Sequence, residues 1–144
     1  MFFTNLRTDT SSGVPAMDEL HQLCGAALDH ASSCGDAAFE DGFESLLEQL
    51  HHAFATEDDW MEAIDYAAIK SHREQHARLL SALHHVQAEV LNGNLALGRR
   101  VVVDLLPKWL AVHIDTMDAV LAIVLHFDED KVTPATSRHA FVPA

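Results

Sequence analysis

The stretch Leu46-Leu47-Glu48-Gln49-Leu50-His51-His52-Ala53-Phe54-Ala55-Thr56-Glu57-Asp58-Asp59-Trp60-Met61 decides the fold. Leu46, Leu50, Phe54 and Met61 recur at steps of four and seven, with Leu47 beside them, which is the period of a helix that buries one face. No Gly or Pro interrupts the stretch, and the pattern extends to a helix over about Phe39 to Ile64. A helix that long with one apolar face needs other helices to cover it.

Reading outward supplies them. Upstream, Ser33-Cys34-Gly35-Asp36 separates this helix from one over about Ala16–Ser32, whose apolar side carries Met17, Leu20, Leu23 and Leu28 and which starts after Gly13-Val14-Pro15. Downstream, a turn near Asp65-Tyr66 leads to a helix over about Ala67–Leu91, closed by Asn92-Gly93-Asn94. A last helix runs from about Ala96 to Leu125. Pro107 lies inside it and predicts a kink, because the ring removes a backbone donor and crowds the preceding turn. No strand period or internal repeat appears. The expected fold is all-α: an up-down-up-down antiparallel four-helix bundle over residues 13–126, with an irregular N-terminal arm (1–12) and a C-terminal tail (127–144).

Charge and composition narrow the function. With 22 acidic against 9 basic residues the formal charge is −13, the wrong sign for a phosphate footprint, so no nucleic-acid partner is expected. No uninterrupted apolar run reaches membrane-spanning length, and Met1–Leu6 lacks the basic region of a signal peptide, so the reading is cytoplasmic with no membrane partner. Cys24 and Cys34 lack metal-knuckle spacing and read as free thiols. Whether the chain is a monomer or a homo-oligomer is left open.

Histidine is abundant, 11 of 144 residues, and its placement is informative. His72 and His76 in His72-Arg73-Glu74-Gln75-His76 are one turn apart, so both imidazoles point one way and can share a metal. Glu57 lies on a face shared with Phe54 and Met61. His113 and Asp118 lie in the last helix, and His21 sits on the apolar side of the first, beside Met17 and Leu28. Each helix thus brings a potential ligand to an otherwise apolar face, where an unpaired ionisable group costs several kcal/mol. Imidazoles with carboxylates suit iron better than calcium or magnesium. Trp60 and Trp109 read as core and pocket walls, and Cys24 as a small core residue. His30, His84, His85, His126 and His139 read as solvated.

The strings Met17-Asp18-Glu19-Leu20-His21, Phe54-Ala55-Thr56-Glu57-Asp58-Asp59-Trp60-Met61, His72-Arg73-Glu74-Gln75-His76 and Trp109-Leu110-Ala111-Val112-His113-Ile114 with Asp118 resemble the four motifs of bacterial hemerythrins, in the family's order and spacing. The resemblance implies two non-haem iron ions joined by an oxo or hydroxo bridge. His72, His76 and His113 would ligate one iron and His21 the other, with Glu57 and Asp118 bridging. It further implies binding of dioxygen or a similar small ligand, for storage, delivery or sensing, at an open position of the second iron. Helical spacing alone would not select His113 with Asp118: five residues is about 140° round an ideal helix.

One position departs from the family. A histidine is expected four residues before the bridging Glu57, and Ala53 stands there. His52 is about 100° off the required direction and would reach the metal only through a π-bulge, so the expectation is a missing ligand. A second iron held by fewer groups has extra open positions. The alternative function is therefore a di-iron oxidase or peroxidase, or a nitric-oxide-binding protein. No acid–base pair, nucleophile triad or phosphate loop supports another catalytic class.

Overall fold

In the computed structural model, residues 11–135 are described; most of the expected arm, the end of the tail and His139 lie outside them. Four helical bodies account for most of the described chain: α1 (Pro15–Ser33), α2 (Asp36–Ala63), α3 (Ile69–Leu91) and α4 (Leu95–His126). All begin and end within three residues of the positions expected from sequence. Pro15 occupies the first turn of α1, where its missing N–H costs nothing. The α3–α4 turn needs Gly93, whose φ is +96°, and the Asn94 side chain then accepts from Leu97 N–H to start α4.

Met17, Leu20 and Leu28 of α1 meet Phe39, Phe43, Leu46, Leu50, Trp60 and Met61 of α2 in the core, with Leu79 and Leu83 of α3 and Leu106, Leu121 and Leu125 of α4. Leu23, expected on this face, is only half-buried; Cys24 takes the inward position one residue later.

Helix α4 is not regular. Its α-helical segments Leu95–Arg100, Leu106–His113 and Ala119–His126 are separated by π-helical segments at Val101–Leu105 and Ile114–Asp118. At the end of each, a backbone N–H reaches back five residues: Leu106 to Val101, and Ala119 to Ile114. The first π segment lies where the Pro107 ring would crowd the Val103 carbonyl, so widening the turn accommodates the proline. By length and composition α4 is apolar enough to cross a membrane. Its outer face leaves Val103, Val112, Val120 and Ile123 exposed, while its inner face buries His113 and Asp118.

After α4 a short 3-10 turn, Glu129–Lys131, brings the chain back onto α2. Trp60 Nε1 donates to the Thr133 carbonyl at 3.0 Å, and Ala135 is fully buried. The part of the tail expected to be irregular is therefore, over residues 132–135, a strap across α2.

Candidate metal centre

All six ligand candidates are buried: His21, Glu57, His72, His76, His113 and Asp118. Five of them converge, for Glu57, His72, His76, His113 and Asp118 each offer one donor atom within 4.8 Å of every other. His72 Nε2 lies 3.1 Å from Glu57 Oε1 and 3.0 Å from Asp118 Oδ1. His113 Nε2 is 3.1 Å from the same Asp118 oxygen. His76 Nε2 is 3.1 Å from His113 Nε2 and 3.5 Å from Glu57 Oε1.

His21 stands outside this knot but touches it. Its Nε2 lies 2.9 Å from Asp118 Oδ2, the oxygen that the other imidazoles do not use. Asp118 therefore turns one oxygen towards His72 and His113 and the other towards His21.

The second π segment explains why Asp118 can do this. Because the turn over Ile114–Asp118 is widened by one residue, His113 and Asp118 come onto one face despite their five-residue spacing. This is the element that resolves the mismatch left by ideal helical geometry.

The donor set fits a cation better than it fits itself. His72 Nε2 lies about 3 Å from Glu57 Oε1 and from Asp118 Oδ1, yet none of the three has a properly aligned hydrogen-bond partner, although all are buried. Buried polar atoms are rarely left so. Three donors facing a common point rather than one another are what an ion between them would satisfy.

The surroundings orient the rings. Gln75 Oε1 is 3.0 Å from His113 Nδ1, so it accepts the Nδ1 proton and leaves the His113 Nε2 lone pair facing the cluster. Phe54 stacks flat on His76, with centroids 3.8 Å apart, and Trp109 on His113 at 4.6 Å. Trp109 is thus a wall of the site, as its motif suggested, whereas Trp60 anchors the strap. Sequence reading missed Gln75: a glutamine beside a candidate ligand carries no signal until the partner helix is placed.

The electrostatics are those of crowded, buried charge. Burial and the Asp118 charge push Glu57 up to about 7. Burial pulls His72 down, but the close Asp118 and Glu57 carboxylates outweigh it and raise this histidine to about 9. His76 falls to about 4 through burial and the neighbouring His72. Burial opposes ionisation of Asp118 as well, yet the close approach of the His113, His21 and His72 imidazoles holds it well below the usual carboxylate range. Cys24, one turn after His21, is buried, and burial with the Glu57 and Asp118 charges pushes its thiol above the ordinary range, as suits an inert core residue.

Ala53 is buried on α2, one turn before Glu57. His52 does not replace the missing imidazole. Helix α2 is α-helical throughout Asp36–Ala63, with no π-bulge, and His52 Nε2 donates to the Ala135 carbonyl at 2.7 Å, away from the cluster. A cavity of about 350 Å³ reaches the His21 side of the site, lined by Met17, Ile114, Asp115 and Ala119 among others.

Comparisons with known proteins agree with this geometry. Residues 12–123 match the family model described as the hemerythrin HHE cation binding domain. The chain is also 32% identical over 109 residues to a bacteriohemerythrin of Ralstonia nicotianae (strain ATCC BAA-1114 / GMI1000), an alignment covering 76% of this chain and 79% of that protein. No solved structure matches.

Proposed function

The chain belongs to the hemerythrin family, and from that premise we propose that it is a non-haem di-iron protein that binds dioxygen or a similar small ligand in the core of an up-down-up-down helical bundle. The order of cross-helix contacts supports that arrangement. As α1 ascends from His21 to Ser32, its partners on α4 descend from Asp118 to Val102. Arg73 of α3 meets Glu62 of α2, and eleven residues later His84 meets His51. Phe39 and Phe54 of α2 face Gly98 and Trp109 of α4 in parallel order.

In this reading His72, His76 and His113 hold one iron, His21 holds the second, and Glu57 and Asp118 bridge them. The observation that carries it is the split use of Asp118, Oδ1 towards His72 and His113 and Oδ2 towards His21. Iron at these positions supplies a redox-active centre with room for an exogenous ligand. The residues around it exclude water on one side with Phe54 and Trp109 and leave the His21 side open to the cavity. The small residue Ala53 favours a second reading, a di-iron oxidase or peroxidase or a nitric-oxide binder, since the second iron there would be less enclosed.

Elemental analysis with visible spectra, with and without azide, tests the first reading. We expect two irons per chain and azide-dependent charge-transfer bands. A single iron without such bands would mean that Ala53 empties the second position, and no iron would end the di-iron reading. Ala53→His should hold the second metal longer against a chelator. Rapid steady-state peroxide consumption that Ala53→His suppresses would favour the enzyme reading.

A further inference from the structure

A second histidine pair lies outside the core. His51 of α2 and His84 of α3 are both exposed, and their Nε2 atoms are 2.8 Å apart, with ring centroids 5.0 Å apart and planes inclined by 52°. His51 is six residues before Glu57 on α2, and His84 is eight residues beyond His76 on α3. At the helical rise these offsets are roughly 9 Å and 12 Å along the axes, so neither ring shares a donor with the buried cluster.

Two imidazole nitrogens each about 2.0–2.1 Å from one ion, at right angles about it, lie roughly 2.9 Å apart. In a tetrahedral site the separation would be about 3.4 Å. The observed 2.8 Å matches the right-angled arrangement, the geometry of square-planar or tetragonal ions. The two rings approach through like atoms, so one Nε2 must donate to the other for them to form a hydrogen bond at all.

We infer that His51 and His84 form a surface site for a divalent transition cation of the copper(II) or nickel(II) type, clasping α2 to α3. Glu48, three residues before His51 on α2, is near enough for its charge to act on His51, and would supply a carboxylate for a third position. Burial and the His84 ring hold His51 below the ordinary histidine range, with Glu48 opposing them, so the ring offers a free lone pair at neutral pH. Exposure leaves the remaining positions to water. The affinity order of divalent first-row ions places copper(II) highest.

The test titrates copper(II) into the metal-loaded protein and reads its electron paramagnetic resonance. One equivalent beyond the core metal, with hyperfine splitting from two equatorial nitrogens, is expected. His51→Ala and His84→Ala should each weaken that binding at least tenfold, while His85→Ala, on the adjacent exposed residue, should not. The visible spectrum of the core centre should stay unchanged in all three, which also shows that they fold. One equivalent of copper(II) should further raise the unfolding temperature of the unaltered chain but not of His84→Ala. Copper(II) binding that survives both substitutions, or no equivalent beyond the core, overturns the assignment. The tenfold losses at His51→Ala and His84→Ala are read on the copper(II) resonance and the core metal by its own content, so either assignment can fail while the other holds.

Discussion

At the scale of single residues, the centre depends on side chains that are not ligands themselves. Gln75 accepts from His113 Nδ1 and so fixes which nitrogen faces the cluster. Removing such an orienting partner lowers metal affinity by roughly 10–100-fold in comparable sites. Gln75→Leu keeps the volume and removes the acceptor, and we expect a loss in that range by competition with a chromophoric chelator. Affinity within twofold of the unaltered protein would reduce Gln75 to a spectator.

The titrating groups make a second statement at this scale, for the metal-free protein. His72 sits at about 9 when folded, above its ordinary value, so its pairing stabilises the fold below the ordinary histidine range and is lost as pH rises towards 9. Glu57, raised to about 7, still gives up part of its proton above pH 7 and acts in the same direction. His76, at about 4, is already neutral there and does not cancel the trend. Chelator-treated protein should therefore unfold at a lower temperature at pH 9 than at pH 7. Metal loading at pH 7 should release a proton from His72, visible with an indicator dye. A metal-free protein whose unfolding temperature rises over that interval would contradict the His72 assignment.

At the scale of elements, the sequence made the four helices legible because their apolar residues keep a helical period and two of their three breaks fall at Gly, Asn and Ser clusters, the third at the Asp65-Tyr66 turn. The ligand faces of α1, α2 and α3 were legible for the same reason. Helix α4 was not, since an ideal helix separates His113 from Asp118, and a π segment leaves no mark in composition. Its physical content is one extra residue inserted into the turn. Deleting Thr116, an exposed residue inside that segment, would leave His113 and Asp118 four apart on a regular α-helix and still on one face. We expect this deletion to preserve metal content and not to lower thermal stability by more than a few degrees. Inserting an alanine after Thr116 should abolish metal binding that needs both His113 and Asp118. If deletion and insertion proved equally damaging, the widened turn would not be what aligns the two ligands.

At the scale of the whole molecule, the strap and the surface histidine pair were both invisible in sequence, for a shared reason. Each is defined by residues far apart in the chain, and neither the tail nor the pair has a period. His52 shows the consequence. Beside a vacant ligand position it looked like a candidate replacement, yet in the fold it joins the strap, donating to Ala135 while Trp60 donates to Thr133. Ending the chain after Lys131 would remove both acceptors and leave two buried donors unmatched. Each such bond is worth about 0.5–1.5 kcal/mol, so truncation should cost on the order of 1–3 kcal/mol in denaturant unfolding. His52→Leu should lose part of that stability while keeping its full metal content, because its ring faces the strap and not the buried ligand cluster. If His52→Leu instead lost metal with little change in stability, His52 would be the missing ligand. Ala53 would then no longer mark an opened site, and the case for a reactive second iron would fall with it.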